Sequence, residues 1–163
     1  MKKLLFLILF FSGFVQAQKN ETMLVNDLLN AWHKAASEAN YHTYFNLMAE
    51  EAVFIGTDAN ENWNKKDFQA YAKPYFDKGK AWNFTPLERN VYFDKTFKIA
   101  WFDELLNTQM KICRGSGVLV KINGQWKIQH YVLSMTIPNE NSTEIIKIKT
   151  PIEEGIINKI QMR

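Results

Sequence analysis

The chain has 163 residues with 20 Lys+Arg against 17 Asp+Glu; Lys2 and Lys3 fall in a leading segment, so from Gln18 onward the balance is 18 to 17. A formal charge of +1 there, with no Lys/Arg stripe interleaved with aromatics, gives no reason to expect a nucleic-acid partner. The single cysteine, Cys113, excludes an internal disulfide, and no paired histidines or Cys/His cluster at ligand spacing point to a metal or other cofactor.

Lys2 and Lys3, the apolar run from Leu4 to Phe11 and the Val15-Gln16-Ala17 sequence read as a signal peptide over residues 1–17. The apolar run is too short to span a bilayer, so the expectation is export, periplasmic or secreted, without stable membrane insertion. The mature chain would then run 146 residues from Gln18 to Arg163, enough for one domain with a sizeable core. Cys113, between lysine-bearing strand positions, reads as a packing residue.

From Thr22 the residues Val25, Leu28, Leu29, Trp32, Ala35, Ala36 and Ala39 recur at helical spacing, predicting a long amphipathic helix closed near Asn40. A short helix through Tyr44, Phe45 and Met48 follows, then an apolar strand from Ala52 to Gly56 and a polar loop from Thr57 to Asn62. His33 and His42 read as helix-surface or boundary histidines. Asn64, with Asp67 three residues on, caps a third helix whose stripe is Phe68, Tyr71, Ala72, Tyr75 and Phe76. Pro74 kinks that helix or marks its last turn before Gly79. Trp82–Pro86 and Arg89–Phe93 read as a strand pair in which Pro86 requires an edge or a bulge.

Residues 97–138 read as three strands, and Asn123-Gly124 between alternating runs supplies the two positive-φ residues of a two-residue hairpin. If the lysine-bearing faces point outward, Trp101, Asp103, Arg114 and His130 gather on one inner face. A carboxylate, a guanidinium and an imidazole among aromatics make a polar-floored pocket, because unpaired buried charge is costly. On this reading Asp103 orients His130 for proton transfer and Arg114 holds a ligand oxygen. The other readings of the same group are plain ligand recognition and an internal salt-bridge network under the sheet. Trp63, Tyr71, Trp82 and Trp101 pack the rim or wall a ligand, and Asp58 with Glu61 lies where a loop closes the cavity mouth. Phe102, Cys113, Tyr131 and Leu133 would then form an outward apolar patch suited to a homodimer. Gly115-Ser116-Gly117 lacks the phosphate-loop lysine and reads as a place of sheet curvature or a bulge.

After Pro138 a polar stretch leads to a short strand over Glu144–Lys149 and a last helix with Pro151 in its first turn and an apolar stripe of Ile152, Ile156, Ile157 and Ile160. The domain expectation is therefore a signal peptide over 1–17, an α+β domain over 18–138, and a C-terminal extension over 139–163 that packs on the domain or on a partner chain.

The stretches Val53-Phe54-Ile55-Gly56-Thr57-Asp58, Ala100-Trp101-Phe102-Asp103-Glu104, Arg114-Gly115-Ser116-Gly117-Val118-Leu119 and Trp126-Lys127-Ile128-Gln129-His130-Tyr131 resemble the SnoaL-like group of the nuclear transport factor 2-like, or cystatin-like, superfamily. The resemblance implies a cone-shaped α+β barrel in which N-terminal helices pack in a strongly curved, mostly antiparallel sheet around a cavity. It also implies a frequent dimer through sheet faces. It does not fix one chemistry, since the superfamily holds isomerases, cyclases, dehydratases and non-catalytic binding domains. Three classes stay open: a binder of a small organic molecule with a polar end, an enzyme using His130 and Asp103, and an interaction or scaffold domain.

Overall fold

The structure, a computed structural model, describes residues 18–162 with their side chains and the backbone of 2–17 as the start of the first helix. The signal-peptide expectation for residues 1–17 lies outside the fully described residues.

Helix α1 (Lys2–Ser37) carries the predicted stripe: Val25, Leu28, Leu29, Trp32, Ala35 and Ala36 are all buried. Ala39 takes a positive φ and Asn40 then caps α2 (Tyr41–Asn46), accepting from the Thr43 amide at 3.1 Å. Strand β1 (Met48–Ile55) and the short β2 (Asn62–Asn64) flank the polar loop. Helix α3 (Lys65–Asp77) starts at the expected cap, the Asn64 side chain accepting from the Asp67 amide at 2.9 Å and donating to its carboxylate at 2.8 Å. Phe68, Ala72 and Phe76 are its buried face, and Pro74 falls in its last turn. Strands β3 (Thr85–Phe93), β4 (Ile99–Thr108), β5 (Lys111–Ile122) and β6 (Gln125–Met135) complete the sheet. Asn123 and Gly124 close the β5–β6 hairpin at φ 51° and 81°, the conformation that turn needs. Trp82 stays in the connection before β3, which is one edge strand interrupted by a register shift between Pro86 and Glu88.

The expected cone-shaped barrel is not what forms. The six strands make one open sheet in the order β2-β1-β6-β5-β4-β3, neither closed nor strongly curved, and mixed because β1 runs parallel to β6. Closure requires the two end strands to pair in a matched stagger. Here one end is a three-residue strand and the other a strand broken at Pro86, and neither bonds to the other. Helices α1, α2 and α3 therefore cover one face of an open sheet.

The inward and outward faces also differ from expectation. Ala100, Phe102, Glu104 and Leu106 of β4 are buried, as are Cys113, Gly115 and Leu119 of β5, so Trp101, Asp103, Arg114 and Val118 lie on the opposite, outer face. Lys127 does mark the outer face of β6, but Lys111 and Lys121 mislead for β5. Lys111 opens β5 at φ 68°, beside the hairpin turn, while Lys121 lies over the inward Trp126 ring at 4.8 Å and pairs with Glu21 at 2.6 Å. In β6 Trp126 and Ile128 are inward as expected, but a register shift pairs Val118 with His130 and Leu119 with Ile128, which turns Tyr131 and Leu133 inward and His130 outward. Phe102, Cys113, Tyr131 and Leu133 are consequently core residues, at most 5% exposed, and form no outward dimer patch.

Gly115 and Gly117 answer close approach. A Cβ at Gly115 would lie 2.3 Å from the Tyr131 hydroxyl, and one at Gly117 would lie 2.3 Å from the His130 carbonyl oxygen.

Beyond Pro138 a single turn (Asn139–Asn141) leads into helix α4 (Ser142–Gln161), which buries none of its residues. The expected strand over Glu144–Lys149 is helical and Pro151 is interior, because Ile145, Ile148, Ile152 and Ile156 continue one helical stripe through the segment. Among the described residues, no helix is long and apolar enough to cross a membrane.

Candidate functional site

Three polar or aromatic groupings emerge from this framework. On the outer face, the register aligns Tyr92, Trp101, Val118, His130 and Val53 in one cross-strand row, and Asn90, Asp103, Ser116, Val132 and Ile55 in the next. Arg114 falls one row further, opposite Leu105 and Ser134. The four residues expected to share a face do share one. No hydrogen bond joins Asp103 to His130; the Asp103 carboxylate instead accepts from the Asn90 amide at 3.1 Å. Arg114 is exposed, Trp101 is 46% exposed, and none of the four adjoins the aromatic recess described below.

The second grouping lies between α1 and the inner face, centred on Glu104, whose side chain is fully buried. One carboxylate oxygen meets His33 Nε2 at 2.8 Å and accepts from the Tyr131 hydroxyl at 3.1 Å. The other accepts from Arg89 Nε at 2.9 Å and lies 2.7 Å from Arg89 Nη2. Arg89 Nη1 donates to the side-chain oxygens of Asn26 and Asn30 at 3.2 and 2.9 Å. Burial by itself would raise the Glu104 carboxyl, but the His33 and Arg89 contacts outweigh it and hold the group below the usual carboxylate range. Burial and the neighbouring Glu104 charge push the Tyr131 phenol well above its ordinary value. Both Glu104 oxygens are matched, while Arg89 Nη2 makes its ion-pair contact to Glu104 but no hydrogen bond; this is an internal network of the kind that sheet-floor charges need. Its members escaped the face-by-face reading of the strands, and His33, expected as a helix-surface or boundary histidine, is 3% exposed. The readable signal was the spacing Asn26, Asn30, His33, a polar seam one helical step beside the apolar stripe of α1.

The third grouping is a recess of about 260 Å³ where the end of β1, the β1–β2 loop, α3 and the segment before β3 meet. Phe54, Trp63, Phe68, Tyr71, Tyr75, Trp82 and Phe84 are the aromatic part of its wall. Tyr71 stacks on Trp63 at 4.5 Å and 25°, Trp63 on Phe68 at 5.7 Å and 18°, and Phe68 on Trp82 at 5.8 Å and 23°, so four rings form one near-parallel column. Helical spacing produces this directly. Phe68 and Tyr71 are three residues apart on α3, Phe68 pointing into the core and Tyr71 toward the rim. The polar lining is Thr57, Glu61 and Gln109. Burial, the Tyr75 hydroxyl and the Glu61 charge raise the Tyr71 phenol.

The loop that carries Glu61 is tied down at several points. Gly56 N–H donates to the Glu61 carbonyl at 2.9 Å, Glu61 N–H to the Asp58 carbonyl at 2.9 Å, and Asp58 N–H to Glu61 Oε2 at 3.1 Å. The carboxylate folds against Gly56, where an added Cβ would lie 2.2 Å from it. Asp58 itself turns onto the loop, accepting from Asn60 N and Nδ2 at 2.9 and 3.0 Å. Of the expected ligand contacts, Trp63 and Tyr71 line the recess, Asp58 sits on the adjoining loop, and Trp101 and Arg114 are elsewhere. Among the described residues, no group of three or more His, Cys, Asp and Glu could hold a metal ion.

Residues 25–138 match the model of the SnoaL-like domain, which is more than half of the chain. The chain belongs to the SnoaL-like family. A search of curated proteins finds no match to it. Among solved structures, this SnoaL-like chain is similar to a nuclear transport factor 2-like protein of unknown function from Pseudomonas putida KT2440, with TM-score 0.63 and 14% identity over 76% of this chain and 92% of that one. It is also similar to a cystatin-like domain of unknown function from Nostoc punctiforme, with TM-score 0.64 and 11% identity over 88% and 96% of the two chains. A nuclear transport factor 2-like protein from Cytophaga hutchinsonii gives TM-score 0.59 and 14% identity over 71% and 98%. At these identities the likeness is one of fold.

Proposed function

We propose that this SnoaL-like protein binds a small, mostly apolar or aromatic molecule with a polar end, held in the recess between α3, the β1–β2 loop and the segment before β3. The observation that carries the reading is the recess itself, a partly open space walled by seven aromatic rings with only a few polar groups converging on it. Its volume, about 260 Å³, suits a ligand of one ring more than a drug-sized one, for which sites run about 300–1,000 Å³. The stacked column supplies flat apolar contact, and Thr57, Glu61 and Gln109 supply orientation. Proton transfer by Asp103 and His130 has no part in this reading, since both stand on the other face of the sheet. The test is ligand-observed NMR with a panel of single-ring compounds. Binding should fall about tenfold or more in Trp82→Ala and stay unchanged in Arg114→Ala. Failure of every compound to bind the folded protein would sink the proposal.

The reading places the mature protein outside the cytoplasm, and mass spectrometry of the native protein should find Gln18 at its start; an intact Met1 form would defeat this part. It also pairs two copies through the outer sheet face, where Tyr92, Ile99 and Trp101 are each nearly half exposed. Light scattering that gives only monomer at micromolar concentration would remove that pairing.

A further inference from the structure

We infer that the recess selects organic cations: its ligand is a small amine or quaternary ammonium whose apolar or aromatic body lies against the ring column and whose charged head meets Glu61. The inference rests on the binding reading above and adds the charge of the ligand. Glu61 is the only charged side chain among the described residues that line the recess; no Lys, Arg or His does so. The Glu61 carboxylate lines the same recess as Trp63, Tyr71, Tyr75 and Trp82, and its charge acts on the Tyr71 phenol; inside a recess with apolar walls a charge attracts a cation and repels an anion more strongly than in bulk water. Electron-rich aromatic walls favour the same sign of charge.

Glu61 is also preorganised for the task. Its Oε2 is fixed by the Asp58 amide at 3.1 Å, while no hydrogen bond among the described residues occupies Oε1. The loop therefore fixes the head group's position before a ligand arrives, and binding does not have to order that side chain. Asp58, on the same loop, adds a second negative charge close by, and Lys80, next to the lining residue Ala81, is exposed and does not line the space. A ligand carboxylate or phosphate would meet no cation there.

The experiment compares three probes that share one ring, namely benzylammonium, benzyl alcohol and benzoate, by calorimetry or ligand-observed NMR on the full chain near neutral pH. Benzylammonium should bind about tenfold or more tighter than benzyl alcohol, and benzoate weakest, as a charge-assisted contact predicts. Glu61→Gln keeps an oxygen that can accept from the Asp58 amide and removes the charge. It should bring benzylammonium down to the level of benzyl alcohol and weaken benzyl alcohol far less, with the melting temperature confirming the fold. Benzyl alcohol binding as tightly as benzylammonium to the unmodified protein overturns the cation inference and leaves the aromatic recess standing, and so does benzoate binding tightest. Benzylammonium that ignores Glu61→Gln yet weakens in Trp82→Ala overturns the role of Glu61. No binding by any of the three at millimolar concentration overturns both the cation inference and the binding reading beneath it.

Discussion

Asp103 and Glu104 are adjacent carboxylates on one strand, and the two faces of the sheet treat them in opposite ways. Glu104 is shut away from water and answered by His33, Arg89 and Tyr131. Asp103 stays partly open to solvent with the Asn90 amide as its hydrogen-bond partner. The inner face demands that every charge be matched, because an unmatched one costs several kcal/mol; the outer face lets water do the matching. The inner charges are therefore part of the folding free energy, and the outer ones contribute little to it.

The sharpest way to break this contrast is Glu104→Ala, which strands Arg89 and His33 in the core. It should destabilise by about 3–5 kcal/mol in denaturant melts. Next in size, Gly115→Ala drives a methyl group against the Tyr131 hydroxyl and Glu104, and should cost about 1–3 kcal/mol of overpacking; a neutral result would mean the inner network yields more readily than its packing implies. Asn64→Ala removes the cap of α3 and should cost about 1 kcal/mol without touching either face. At the small end, Arg114→Ala should change stability by no more than about 0.5 kcal/mol. A loss as large as that of Glu104→Ala would show that the outer face also holds the fold together.

Acid sharpens the comparison further. The Glu104 carboxyl is held below its unfolded value, so its contribution is fully present above the ordinary carboxylate range near pH 4.3 and is lost as pH falls through the folded value. Stability followed against pH should fall more steeply in the unmodified protein than in Glu104→Gln below that range. Parallel curves would assign the acid sensitivity to other groups.

Much of the framework was legible along the chain. The stripe of α1, the Asn64 cap, the Asn123-Gly124 turn and the edge character around Pro86 each rest on interactions within a few residues, so sequence spacing carries them. The faces of the strands were not legible in the same way. Alternation says which residues share a face but not which side is buried, and two of the lysines taken as markers, Lys111 and Lys121, lay at a hairpin end and over an aromatic ring. One register shift in β6 then reversed the face of every residue beyond it, carrying His130 out and Tyr131 in.

What the sequence determined by itself was the helices α1 and α3, the β5–β6 hairpin and the family, because local periodicity, caps and turns are short-range properties. The open mixed sheet, the pairing of His33 with Glu104 across 71 residues and the assembly of Trp63, Tyr71 and Trp82 around Glu61 were decided only by tertiary structure. Each depends on which strand lies beside which and on which face the helices cover. Those choices minimise unmatched charge and exposed apolar surface over the whole chain at once, and no single stretch of it contains them.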